Sequence, residues 1–500
     1  MTSSRNKFYI TTAIPYVNAR PHLGHALEFV QADVLARVHR RRGEDVVLLS
    51  GSDENALKNV QAAEQEGAGV QEFIDRNAEL FRTLTEKLGV QFDRFQKGSD
   101  RAHHFLSSQG LWRRCEASGD IYKKLYEGLY CLGCEAFYTP DELNEKGECF
   151  EHPGRKLELV AEENYFFRLS RYQDELIRIL DSDELTIIPR HRKNEVVSFL
   201  KSPLQDISIS RTNARAKNWG VSVPGDDTQR IYVWFDALNI YQSGIGFGWD
   251  DAQYQKWWPA DVHLIGKGIL RFHAVYWPAF LMSAKLPLPK SVYVHGYITI
   301  DGQKMSKTIG NTIDPFDLVE KYGTDPVRYY LLREIPSGED GDFSYKKFEE
   351  RYNGDLANGL GNLVARVATL GEKISPIDIS DGNIGTKVIR ERFSPLLDTI
   401  KAEITGNIEN FELHRALGVI LRIFNPLDVI INSEEPWRIQ DKKVLAPILS
   451  FLCIHIDKIA EFLEPFLPET AGKIKEQIIV SNSEITIKKT GNLFPRLKSS

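Results

Sequence analysis

Two short segments far apart in the chain carry the residue types that handle phosphate: His22-Leu23-Gly24-His25 and Lys304-Met305-Ser306-Lys307. Residues three apart project from one side of a helix, so His22 and His25 would face a common ligand. A helix start adds unpaired N–H groups and the positive end of the macrodipole, and both attract a polyphosphate. Gly24, lacking a side chain, lets a purine come close to the backbone. Lys304 and Lys307, on a loop able to move, would close on a triphosphate as charge builds during displacement at its α-phosphate. Taken singly the segments say little, because histidine pairs are common on surfaces and in metal sites, and exposed turns are often basic.

The elements that must position them say more. The first segment follows a strand-like run, Phe8 to Ile14, and a turn marked by Pro15 and Pro21, and it leads into a helical pattern over Ala26 to His39. The second follows a strand over Val292 to Ile300 and a turn at Asp301-Gly302-Gln303. Strands and helices alternate to about residue 115 and resume after 225, at Arg230 to Phe235, Val262 to Ile265, Phe272 to Ala284 and Ser291 to Ile300. The expected fold is therefore α/β: residues 1–115 and 226–345 form the two halves of a doubly wound, Rossmann-like parallel sheet that binds ligands at the carboxyl ends of its strands. Residues 116–225 form an inserted domain, 346–485 an all-α helical bundle, and 486–500 a loosely held tail.

The insertion holds most of the cysteines. Cys131-Leu132-Gly133-Cys134 and Cys149-Phe150-Glu151-His152 are two knuckles of soft ligands that can meet around one tetrahedral Zn²⁺ as a closed, structural Cys₃His site. Cys115 and Cys453 fall on apolar helical faces and read as core. Five cysteines in 500 residues make no disulfide framework.

Apolar residues make up 42% and charged residues 26%, as in a soluble globular protein of two to four domains. No signal peptide is visible and no apolar run reaches about 18 residues, so a cytoplasmic protein without a membrane partner is expected. A net charge of -6 excludes a general nucleic-acid coat protein, while basic clusters at Arg37 to Arg42 and Arg211 to Lys217 leave room for a specific RNA.

The chain resembles the class I aminoacyl-tRNA synthetases, and within them the methionyl-tRNA synthetase family. The resemblance rests on Tyr9 to His25, on Tyr232-Val233-Trp234-Phe235-Asp236-Ala237-Leu238, and on Gly266-Lys267 through Phe272-His273 to Trp277-Pro278, and it covers nearly the whole chain. It implies methionine-tRNA ligase activity, in which ATP with Mg²⁺ activates methionine and tRNA(Met) receives it for translation. It also implies that Ala13, Ile14, Tyr16, Trp234, Ala237, Tyr241, Ile269, His273 and Trp277 line the methionine pocket, that Asp53 holds the ammonium, and that Asn362, Arg366 and Trp437 read the anticodon. A monomer is expected, since the appended oligonucleotide-binding domain through which some relatives dimerise does not follow. Four positions depart from the family pattern: Asn55-Ala56 stands where His-Gly is usual, Thr308 replaces Ser and Leu238 replaces Pro. Two alternatives stay open, a class I synthetase for another apolar amino acid and a non-charging tRNA-binding paralogue. A pantetheine-type adenylyltransferase shares the histidine segment but leaves the helical region unexplained.

Overall fold

The computed structural model of the chain describes residues 6–131, 136–138, 140–149, 154–304, 312–380 and 384–497. Two compact units emerge, one comprising Met1–Pro21, Ala36–Glu86 and Val90–His295, the other His22–Leu35, Lys87–Gly89 and Gly296–Ser500.

The first unit is built on a six-stranded parallel sheet. Its strands are β1 (Lys7–Thr12), β2 (Asp45–Ser52), β3 (Arg94–Lys97), β4 (Thr186–Ile188), β5 (Val262–Gly266) and β6 (Ser291–His295), in the order β3-β2-β1-β5-β6-β4. Ile10 pairs with Leu48 on one side and Val262 on the other, which fixes the register of the three central strands. Every residue of β1 beyond Lys7 is buried, as expected for a strand covered on both faces. The order reverses between β1 and β5, and such a switch point opens a crevice at the carboxyl ends of the two strands.

Within the insertion, Ile121–Cys131 and Glu158–Phe167 form a long antiparallel pair running from Ile121↔Phe167 to Tyr130↔Glu158. Ala136–Tyr138 and Ile207–Ser208 complete this sheet. One strand of the same stretch, β4, instead joins the edge of the main sheet beside β6. Within Arg230 to Phe235 a strand ends at Ile231 and the helix α2 (Val233–Leu238) begins, all six of its residues buried. A continuous apolar run of this length has no period to separate a buried strand from a buried helix.

The second unit contains helix α1 (Leu23–Arg41) as far as Leu35, and a helical region that includes α3 (Asn362–Gly371), Ile384–Glu409, Leu413–Arg422, Phe424–Glu434, Lys442–Leu463 and Pro468–Gln477. Two expectations need correction here. The region is not all-helical, because Ile377–Asp378, Ile478–Val480 and Glu484–Ile487 form a small antiparallel sheet. Isoleucines and a valine on either side of Ser481-Asn482-Ser483 favour a hairpin over a further helical turn. The tail is also not loose. Phe494 is buried, the Leu497 N–H donates to the Asn353 side chain at 2.9 Å, and the Tyr352 hydroxyl donates to the Pro495 carbonyl at 3.0 Å.

One stretch, Leu413–Arg438, is long and apolar enough to cross a membrane by length and composition, with a mean hydropathy of 1.4 over its best window. Leu413, Leu417, Ile420, Leu427 and Ile431 within it are buried inside the helical region, and charged residues interrupt the run.

Candidate active site

The ten residues assigned to methionine by resemblance all lie in the first unit, mostly just beyond strand ends that flank the switch point. Ala13, Ile14 and Tyr16 follow β1, Asp53 follows β2, and Ile269, His273 and Trp277 follow β5. Trp234 and Ala237 ride on α2, and Tyr241 follows it. Ala13, Ile14, Tyr16 and Ile269 pack against an apolar cluster that contains Trp234, Tyr241 and Trp277. Tyr16 meets Trp234 edge to face at 6.2 Å, and a parallel bridge joins Tyr16 to Asp53. The Asp53 N–H donates to the Pro15 carbonyl at 2.9 Å, and its own carbonyl accepts from the Asn59 side chain at 2.8 Å.

The hydrogen bonds settle the protonation of His273. The Ile269 carbonyl, 2.9 Å from Nδ1, can only accept, so Nδ1 carries the proton. Nε2 then accepts from the Tyr241 hydroxyl at 2.7 Å. Burial pulls this imidazole down to about 4 against the opposing pull of the Ile269 bond, so the ring is neutral near pH 7. His263 stacks on Tyr241 at 4.3 Å, and burial together with His273 holds it well below the usual imidazole range. The result is an aromatic wall of neutral groups, suited to a polarizable thioether and unsuited to a charged side chain. Sequence reasoning missed Phe272, which stacks flat on Trp234 at 3.7 Å, and Asn59; the neighbour of His273 in the quoted segment offered a signal for the former.

In the second unit, α1 begins at Leu23, three residues before the expected start, so His22 stands just ahead of the helix. The Gly24 N–H donates to His22 Nδ1 and the His22 N–H to His25 Nδ1, each at 3.1 Å. Both rings therefore spend Nδ1 as an acceptor, which assigns the proton of the neutral imidazole to Nε2 in each. The rings stack at 3.9 Å. A Cβ on Gly24 would lie 3.0 Å from His22 Cε1, so the glycine makes room for the His22 ring itself. Farther along the helix, Asp33 pairs at 2.8 Å with Arg328, both fully buried, and the Arg328 guanidinium also donates to the carbonyls of Leu88, Pro465 and Phe466. That set of bonds ties α1 to the helical region of its own unit.

The root of the lysine loop is a tight hairpin in which Ile298–Ile300 pairs with Gln303–Lys304. Asp301 and Gly302 both take positive φ, 49° and 76°, as a two-residue hairpin of this kind requires. The Asp342 carboxylate accepts from the Gly302 N–H and the Thr299 hydroxyl, each at 2.7 Å, a role that no sequence signal announced. Lys304 is a strand residue, and Lys307 lies outside the described residues.

The anticodon candidates share one exposed face of the second unit. Asn362 and Arg366 are one turn apart on α3, and the Arg366 guanidinium lies 5.5 Å from the Trp437 ring, which is 49% exposed. Asn432 at 2.9 Å and Asp428 at 3.6 Å hold the guanidinium in place.

Of the four zinc candidates, Cys134 and His152 lie outside the described residues, while Cys131 and Cys149 are buried with their sulfurs 3.3 Å apart. Cys115 and Cys453 are buried core residues.

A parallel sheet with a switch point flanked by a buried aromatic cluster defines a doubly wound domain of the kind that binds ligands. The family model described as tRNA synthetases class I (M) matches residues 8–368. The chain is 41% identical over 489 residues to a methionine-tRNA ligase of Brucella suis, covering 95% of this chain and 92% of that one. It is 40% identical over 482 residues to one of Thermotoga maritima, covering 94% and 75%. The structure of Mycobacterium tuberculosis methionyl-tRNA synthetase in complex with methionyl-adenylate superposes with a TM-score of 0.91 at 36% identity, over 98% of this chain and all of that one. This chain belongs to the class I tRNA synthetases, in the family of methionine-tRNA ligases.

Proposed function

We propose that the chain joins methionine to tRNA(Met) at the expense of ATP. The single observation that carries this reading is its 41% identity, over 95% of its length, to a methionine-tRNA ligase. In the reading, the thioether lies among Tyr16, Trp234, Tyr241, His273 and Trp277, and the Asp53 carboxylate pairs with the ammonium. The methionine carboxylate attacks the α-phosphorus of ATP in line; a P–O bond to the new adenylate forms as the bond to pyrophosphate breaks. No side chain acts as a nucleophile. His22 and His25 donate Nε2–H to phosphate oxygens, and Lys304 and Lys307 neutralise the charge of the leaving pyrophosphate. A terminal ribose hydroxyl of the tRNA then attacks the methionyl carbonyl and releases AMP. Asn362, Arg366 and Trp437 hold the anticodon through an amide, a guanidinium and an indole face.

Mg²⁺ would enter with the nucleotide and offset phosphate charge. For zinc, two buried thiols 3.3 Å apart lie about 0.5 Å inside the roughly 3.8 Å that two Zn–S bonds of about 2.3 Å set at a tetrahedral angle. Cys131 and Cys149, joined by Cys134 and His152, would hold the ion as a structural clasp on the insertion.

Pyrophosphate exchange measured with each of the twenty amino acids tests the reading. Exchange dependent on methionine, and far weaker with leucine, isoleucine or valine, is the expected result. Exchange driven best by another amino acid selects a different synthetase, and no exchange at all selects a non-charging tRNA-binding protein.

A further inference from the structure

The segment after Asp53 carries an amide in a place where geometry demands two protons. Asn55 Nδ2 donates to the Gly98 carbonyl at 2.8 Å and to Asp236 Oδ2 at 2.7 Å. Asp236 is buried on α2, between Trp234 and Ala237, and its other oxygen receives Ser108 Oγ at 2.6 Å and His104 Nε2 at 2.9 Å. On the Gly98 side the backbone is equally constrained. The Gly98 N–H donates to the Ser52 carbonyl at 2.9 Å, and a Cβ on Gly98 would stand 3.0 Å from that oxygen. Glu54 is fastened to the same turn, its carboxylate accepting from Ser52 Oγ at 2.7 Å and the Ser99 N–H at 3.0 Å.

We infer that Asn55 is a positioning residue for methionine: its amide fixes the segment that presents Asp53 against the helix that presents Trp234 and Ala237. The ammonium partner and part of the thioether wall belong to different elements, Asp53 following β2 and Trp234 with Ala237 on α2. Binding an amino acid at both ends requires those elements to keep one separation, and a single Nδ2 with both protons committed provides the tie. A carboxylamide suits the position. A hydroxyl offers one proton, and a carboxylate offers none and would face the Asp236 charge.

This inference rests on the methionine reading of the pocket, so the parent protein is measured first. Methionine affinity by calorimetry, and KM for methionine, for ATP and for tRNA, are compared among the parent, N55A and N55D, with thermal midpoints recorded for each. The expected result is a tenfold or larger rise in methionine Kd and KM for N55A, a larger one for N55D, and ATP and tRNA KM values within threefold of the parent. If N55A loses cooperative unfolding, N55S, which keeps one donor, is read by the same criteria. A parent that neither binds nor activates methionine overturns the functional reading and this inference with it. A sound parent whose N55A variant keeps methionine Kd within twofold, or whose three KM values rise together with a lowered midpoint, overturns the inference alone.

Discussion

The amino-acid pocket and the histidine segment are built on opposite principles. In the pocket, Tyr241 and His273 are held by buried hydrogen bonds to each other and to the backbone. Tyr241 donates to His273, His273 donates to Ile269, and the Tyr9 hydroxyl donates to the Tyr241 carbonyl at 2.5 Å. In the proposed reading, specificity there would come from shape and neutrality. At the start of α1 the hydrogen bonds run from backbone N–H to ring Nδ1, so each imidazole is propped by the chain and carries its proton on Nε2. The difference separates selecting a substrate from stabilising charge, and substitutions in each region should fail in different kinetic parameters.

The largest effect should follow loss of the histidines. His22→Ala or His25→Ala removes a donor to charge that develops in the transition state, a loss that typically lowers kcat by about 10²- to 10³-fold. Pyrophosphate exchange should show that fall, and methionine affinity by calorimetry should stay within twofold. Weakened methionine binding at unchanged kcat would erase the proposed division. Next comes the tRNA face. Arg366→Ala or Trp437→Ala should raise KM for tRNA roughly ten- to hundredfold, since base stacking and edge contacts are each worth about 1–3 kcal/mol, with exchange in the absence of tRNA unchanged.

The pocket should respond more gently and in affinity. Tyr241→Phe strands the buried His273 Nε2, an acceptor whose desolvation costs about 1–3 kcal/mol, so KM for methionine should rise about fivefold or more while kcat holds. The same imidazole makes the fold sensitive to acid. His273 has its folded pKa lowered to about 4 from 6.5, so the unfolded chain binds more protons between those values. Its stabilisation is fully present above about pH 6.5 and is lost as the pH falls toward 4, a contribution on the order of 3 kcal/mol. Urea unfolding at pH 7 and pH 5 should register the loss in the parent and much less of it in His273→Gln.

Much of this was legible in the sequence. Strand-then-turn patterns placed both phosphate-handling segments after strands, and a few quoted residues carried the family. Other features depend on partners remote in the chain. Asn55 reads as a departure from the pattern, and only the fold brings Gly98 and Asp236 to its amide. The bonds of Asp342 to Gly302 and Thr299 span about forty residues, beyond any local periodicity. The boundary between strand and α2 falls inside five successive apolar residues, Ile231 to Phe235, which carry no period, and the small sheet near the carboxyl end hid behind helical neighbours.

The smallest effect separates two explanations of one glycine. From sequence, Gly24 leaves room for a purine; in the folded chain the room is taken by the His22 ring, 3.0 Å from where a Cβ would stand. In Gly24→Ala the methyl would push that ring off its rotamer, at about 0.5–1.5 kcal/mol, or break the Gly24 N–H bond to Nδ1 that assigns its tautomer. Either outcome degrades the donor without placing the methyl against the nucleotide, so kcat for exchange should fall about three- to tenfold at nearly constant KM for ATP. If the glycine instead serves the purine, KM for ATP should rise and kcat hold. Combining Gly24→Ala with His22→Ala decides the matter, because a methyl that acts only through the His22 ring adds nothing once that ring is gone.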